Sequence, residues 1–162
     1  MIRFILLTIL GFAAMEIISY LIHRYVFHGI LWRIHETHHT PRKGWFEFND
    51  AFSLVFALVS IGLMTFAEQH FINSISFPIG LGIALYGGFY FITHDLFTHR
   101  RFLPFKSQNT ILLTIRAAHQ RHHQSIEKLG IEPFGLFIFN YKKFIRKKKA
   151  AAPIQEAETE TI

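Results

Sequence analysis

The sequence predicts an all-α integral membrane protein, a helical bundle of three to four spans with a histidine-rich helical cap at one end, and three observations predict it. Of its 162 residues 51% are hydrophobic and only 17% charged, with 19 phenylalanines, too apolar for a disordered chain, and its long uncharged runs are unlike an ordinary soluble domain of this size. The apolar residues gather into three long runs nearly free of charge. The basic residues fall almost wholly on one side of those runs. A mass of 19.0 kDa leaves room for a single domain, taken as residues 1–146, and a tail over 147–162 that is basic, then acidic, and of disordered composition. The absence of cysteine excludes disulfides, iron–sulfur clusters and thiolate metal sites.

A hydrocarbon core accommodates about 20 helical residues. The first run, Phe4 to Ile22, is interrupted only by Glu16. It exceeds the apolar part of a signal peptide and no small-residue cleavage site follows, so it reads as an uncleaved span. The second, Ala51 to Ala67, is uncharged but short, and needs flanking residues to cross. Asn49 and Asp50 stand just before it, either as an N-cap or as site residues. The third, Ile75 to Phe91, carries Gly80, Ala84 and Gly88 at four-residue spacing. That spacing permits close helix packing, or it reflects the general tolerance of membrane helices for glycine.

With three spans, 16 of the 17 lysines and arginines lie on the side holding Arg24 to Lys43 and everything from Arg100 onward, against Arg3 alone on the other. The positive-inside rule makes the rich side cytoplasmic, with the chain multi-pass in the cell inner (plasma) membrane and its C-terminus inside. The same asymmetry accounts for a net charge of +6 and a pI near 9.8, so no nucleic acid partner is implied. The run Lys147 to Lys149 is a solvated charge run or a contact with anionic lipid headgroups.

Eleven histidines are the outlying number. Ten fall into four clusters: His23 and His28; His35, His38 and His39; His94 and His99; His119, His122 and His123. The pattern is H-x4-H followed by H-x2-HH, used twice, with His70 left over. On a helix, positions i, i+3 and i+4 share one face, so each H-x2-HH presents three imidazoles together. The H-x4-H pairs do not share a face of an ideal helix. They occur where spans one and three leave the membrane, and Gly29 after the first pair is a candidate helix stop, so each pair is expected to straddle a site through a distorted last turn. Two spans separate the two halves, which returns all ten histidines to one side and His70 to the other.

Neutral imidazole is the commonest metal ligand among side chains. Ten exceed what one ion uses, and two ions with about five ligands each is the economical reading. Such ligands suit iron, copper, zinc or nickel. His35-Glu36-Thr37-His38-His39 also satisfies H-E-x-x-H, the zinc-protease signature, but the second copy has Gln120 in place of the glutamate and a protease would leave most other histidines idle. A metal transporter is a further alternative, although its spans would carry polar ligands where these hold only Glu16. Glu16 could orient a ligand histidine, hold a proton path, or pack against a polar neighbour. Asp95, beside His94, is a candidate acceptor for the free N–H of a ligand histidine. Arg100, Arg101 and Arg121 could dock an acidic partner, and the phenylalanines around Phe89 to Phe91 could line a groove or face lipid.

The words HRYVFHG at 23–29, LWRIHETHH at 31–39, FND at 48–50, HDLFTHRR at 94–101 and AAHQRHH at 117–123 resemble the histidine boxes of the membrane di-iron hydroxylases and desaturases of the fatty acid hydroxylase superfamily. They are most similar to its bacterial carotenoid hydroxylase branch, over roughly residues 15 to 140. The stretch IEPFGLF at 131–137 adds little to the resemblance. The resemblance implies a di-iron centre on all ten clustered histidines, which zinc could occupy in a purified sample, with O2 as co-substrate and electrons from ferredoxin and its reductase. It implies hydroxylation of β-ionone rings at C3, from β-carotene to β-cryptoxanthin to zeaxanthin. Another lipid C–H hydroxylase or desaturase of the superfamily is the alternative.

Overall fold

The computed structural model describes residues 1–40, 44–67 and 71–145; His70 and the tail over 147–162 lie outside them. Helix α1 (Ile2–Leu21) runs on into a π-helical segment (Ile22–Ile30), and α2 (Trp32–His39) follows directly. After a loop come α3 (Asp50–Thr65) and α4 (Ser76–Tyr90), which also continues into a π-helical segment (Phe91–Thr98); α5 (Thr110–His122) and one 3-10 turn (Tyr141–Lys143) complete the chain. The described residues contain no strand.

Two continuous helices, Ile2–Ile30 with 29 residues and Ser76–Thr98 with 23, are long and apolar enough to cross a membrane. A helix apolar on every side needs an apolar surrounding, and these carry exposed rows such as Ile5, Leu6, Ile9 and Ile17. Helix α3 has 16 residues, about 24 Å of rise, short of a core about 30 Å thick.

Helix α4 packs against both α1 and α3. Phe4 meets Phe77, and Phe12 meets Tyr86 and Phe89, so α1 and α4 run parallel. The closest approach is glycine on glycine. A Cβ at Gly11 would stand 2.6 Å from the Ile79 carbonyl oxygen, and one at Gly82 would stand 2.7 Å from the Phe12 nitrogen and closer still to the Thr8 carbonyl. Gly80 faces α3, where a Cβ would lie 2.9 Å from Leu63 Cβ and where buried Ser60 Oγ donates to the Gly80 carbonyl at 2.8 Å. The stripe Gly80, Ala84, Gly88 is therefore a packing surface at its first member but not at its last, because a Cβ at Gly88 meets nothing within 4 Å.

Parallel helices deliver both π segments to the same end. There α2 packs on the first and α5 on the second, α5 starting at Asn109, whose Oδ1 accepts from the Ile111 and Leu112 amides at 2.9 and 3.2 Å.

Candidate metal centre

The two H-x4-H pairs lie in or at the ends of the two π segments, and the geometry explains the spacing. In a helix whose hydrogen bonds run i→i+5, each turn takes up more residues than an α turn, which brings residues five apart nearer to one face than the roughly 140° that separates them on an α-helix. The Leu31 amide bonds the Val26 carbonyl at 2.9 Å and the His99 amide bonds the His94 carbonyl at 2.8 Å, both five residues back. Thr98 Oγ1 adds a bond to the Thr93 carbonyl at 2.7 Å. The expected distortion is thus a wide turn in each helix. Gly29 breaks the helix with φ −112° and ψ −112°, which turns the chain into α2.

Nine of the ten clustered histidines form two groups. His23, His28, His35, His39 and His122 offer ligand nitrogens within 4.8 Å of one another, and so do His38, His99, His119 and His123. His94 joins the second group's edge, its Nε2 3.2 Å from His38 Nε2. The groups share a wall, with His39 stacked on His123 at 4.3 Å between ring centroids. The triads do not stay together as one face. On a helix, i and i+4 are about 40° apart while i+3 lies about 60° to the other side, so His35 and His39 serve one group and His38 the other. Likewise His119 and His123 serve the second group while His122 crosses to the first.

The first group is fixed by main-chain carbonyls. Nδ1–H donates to the Phe134 carbonyl from His23 at 2.7 Å, to Lys128 from His28 at 2.9 Å, to Ser125 from His39 at 3.0 Å and to Ile131 from His122 at 2.6 Å. His35 Nδ1 donates to Asn49 Oδ1 at 2.8 Å. A carbonyl oxygen only accepts, so the proton of each neutral ring sits on Nδ1 and Nε2 keeps its lone pair. These lone pairs face one another, at 3.0 Å between His23 and His35 and 3.2 Å between His28 and His122. Protonation does not relieve the clash. Burial, with the neighbouring rings adding to it, pushes His35 down to about 3, His39 to about 4 and His122 to about 3. Two imidazole nitrogens on one ion with bonds of about 2.1 Å stand about 3.0–3.4 Å apart, so the donor set fits a metal cation.

The second group is braced by charge. His38 Nδ1 donates to Glu47 Oε2 at 2.8 Å, and the Glu47 amide donates to Asp50 Oδ2 at 2.9 Å. Arg101 Nη1 donates to Asp50 Oδ1 and to Asp95 Oδ1, both at 2.8 Å, and Asp95 Oδ1 lies 3.5 Å from His94 Nδ1. Glu47, Asp50, Arg101 and Asp95 therefore form a chain around the back of the group from His38 to the side of His94, whose Nδ1 makes no hydrogen bond. Burial first, then the other imidazoles, lower His38, His119 and His123 as well. The buried His123 Nε2 has no hydrogen-bond partner, a condition a metal ion would relieve.

The structure decides between alternatives that the sequence left open. Arg101 is 2% exposed, so it holds the carboxylates and cannot meet a partner, whereas Arg100 and Arg121 are exposed. Asn49 occupies the N-cap position of α3 but makes no capping bond, since its side chain bonds His35. Glu16, 3% exposed, accepts from Tyr86 Oη at 2.8 Å and from the Phe137 and Ile138 amides at 2.9 Å each. It reaches the histidines only through the loop that carries Phe134. Glu36 of H-E-x-x-H is exposed, and His35 and His39 share their group with three further imidazoles.

Sequence reading missed Glu47, one residue ahead of the quoted FND, and the carbonyls at 125, 128, 131 and 134. The carbonyls carry no side-chain signal, but Gly130 marks their loop: its φ is +62°, and a Cβ there would stand 2.8 Å from the His28 ring.

The fatty acid hydroxylase family matches this chain over residues 8–144. A β-carotene hydroxylase of Pseudescherichia vulneris is 38% identical over 162 residues, covering 94% of this chain and 88% of that protein. One of Pantoea ananas is 38% identical over 136 residues, covering 81% and 73%. A chloroplastic β-carotene 3-hydroxylase of an Oncidium hybrid cultivar is 42% identical over 120 residues, 72% of this chain but 38% of that longer protein. No solved structure gives a significant match. With all ten clustered histidines, most of the first long apolar helix and all of the second inside the matched region, the chain belongs to the fatty acid hydroxylase family.

Proposed function

We propose that the protein is a membrane di-iron monooxygenase that hydroxylates carotenoid β-ionone rings at C3, converting β-carotene through β-cryptoxanthin to zeaxanthin. The observation that carries this reading is the convergence of two all-imidazole groups at the end of two apolar helices in a chain similar to bacterial β-carotene hydroxylases. Each turnover replaces one ring C–H by C–OH and consumes one O2, whose second atom leaves as water with two protons and two electrons. Iron bound by the ten histidines would supply the O2-activating redox chemistry, which no side chain here can. The chain's own part is to hold the ring tautomers. Carbonyls present the Nε2 lone pairs of the first group, and Glu47 presents that of His38. The electrons come from reduced ferredoxin through its reductase, docked on the exposed Arg100 and Arg121.

In this reading the chain has three spans, with α3 completed by its flanking residues. The histidine end faces the cytoplasm of the inner membrane, as the basic asymmetry requires. The membrane-embedded domain extends to residue 146.

The test is expression in a β-carotene-producing bacterium with pigment analysis and metal quantification. Zeaxanthin and iron at two ions per chain are expected, with the His70→Ala variant as active as the parent. A protein that holds iron yet hydroxylates only acyl lipids would move the assignment to another branch of the family. Zinc-supported turnover or metal efflux without O2 consumption would overturn it.

A further inference from the structure

A cavity of about 360 Å³ lies between α1, α3 and α4. One end stops one side chain short of the histidines, against residues that pack on them. There Phe27 is stacked on His35 at 5.1 Å between ring centroids, Tyr90 is stacked on His94 at 4.4 Å, and Asn49 and Asp95 complete the lining. The other end lies at Ser60, Ile61 and Met64. From Asn49 to Met64 the cavity follows α3 for about 22 Å of helix rise. Its body is lined by Phe52, Phe56, Met15 and Ile83.

The cavity opens sideways. Among its lining residues Ser53, Ala57 and Ile61 of α3 and Gly87 and Gly88 of α4 are exposed, so its mouth is a slot between those two helices, facing the hydrocarbon. Gly87 and Gly88 differ from the other glycines of the bundle. Gly11, Gly80 and Gly82 stand where a Cβ would clash, whereas a Cβ at Gly87 or Gly88 meets nothing within 4 Å. Both lie inside α4, where glycine costs about 1 kcal/mol relative to alanine and where no neighbour requires it. What their missing side chains provide is the open width of the slot.

We propose that the α3–α4 slot is the lateral entry and binding site for one end of a rod-shaped cyclic polyene, and that Gly87 and Gly88 set the width that admits its ring. This rests on the hydroxylase reading above and extends it to the substrate's path. An apolar rod about as long as the hydrocarbon core, about 30 Å, would place one ring against Tyr90 and Asn49 and leave its far end outside the cavity. Only one end group is presented at a time, and a hydroxyl already on the distal ring is left free to reach the opposite interface.

The test compares Gly88→Leu with Gly62→Leu in β-carotene-producing cells. A Cβ at Gly62 also meets nothing within 4 Å, but that residue does not line the cavity. Two readouts are taken. One is hydroxylated carotenoid formed per protein. The other is β-carotene retained on the purified, turnover-dead His38→Ala protein with and without the second substitution. Gly88→Leu is expected to lower both about tenfold or more, equivalent to about 1.4 kcal/mol of steric exclusion, at unchanged iron content, while Gly62→Leu lowers neither. If the parent forms no hydroxylated carotenoid but Gly88→Leu still abolishes pigment retention, the activity assignment fails and the slot stands. If pigment retention and product are the same for both leucine variants, the slot is wrong whatever the activity.

Discussion

The two histidine groups touch each other, yet they are supported by opposite means. The first is held by neutral dipoles: four main-chain carbonyls at residues 125, 128, 131 and 134 and one asparagine amide. In the second, an ion stands behind one member and beside its neighbour: Glu47 bonds His38 and Asp95 lies 3.5 Å from His94, both carboxylates tied to Arg101 through direct or shared contacts. A carboxylate behind an imidazole raises its basicity as a ligand, and a carbonyl does so less. Two cations seated here would therefore differ in environment, although every direct ligand is the same side chain.

The largest test of this contrast removes one ligand from each group. His122→Ala and His38→Ala should each lose more than about a hundredfold in metal affinity or activity, above the range for removing a supporting residue. Metal analysis should show the lost ion coming from the first group in one variant and the second in the other. Both ions leaving together in both variants would make the pair one cooperative site.

Next in size is Arg101→Leu, which strands buried Asp95 and its neighbour Asp50. Breaking a buried ion pair from one side costs about 3–5 kcal/mol, read as a loss of thermal stability. The paired removal, Asp95→Asn with Arg101→Leu, should recover part of it. Glu47→Gln keeps the shape of the second group and removes its charge. A loss of about 10–100-fold in metal affinity or turnover is expected, with a shifted potential and a retained first ion. Smallest is Gly130→Ala, which forces a side chain into a left-handed backbone at a cost of about 1–2 kcal/mol and crowds the His28 ring. Its metal loss should be confined to the first group; loss from the second would show that the carbonyl loop supports both.

Much of this was legible in the sequence, and the rest was hidden for definable reasons. The runs of apolar residues marked α1, α3 and α4 to within a few residues, because lipid-facing helices carry their signal in composition. The spacing H-x4-H announced an irregular turn, since five residues cannot align on an α-helix. The exchange of His38 and His122 between groups was not visible, because a shared 100° face leaves open how that face is divided. Arg101 looked like a surface charge beside Arg100. Its burial follows from a partner, Asp50, 51 positions away in sequence, and pairings at that range leave no local pattern. The Gly11–Gly82 contact was missed for a similar reason: each glycine is isolated in its own helix, and only the crossing makes them a pair.

The interleaving of the boxes has a consequence for how the protein is made. His122 completes the first group and His99, His119 and His123 the second, so neither nest exists until the last quarter of the described chain has left the ribosome and docked. A nascent polypeptide presents five imidazoles early, four of them from the first group, but the fifth nitrogen of that cage arrives only with His122. Any ion the protein takes up would therefore meet its complete ligand set only late in biogenesis, once α5 has docked.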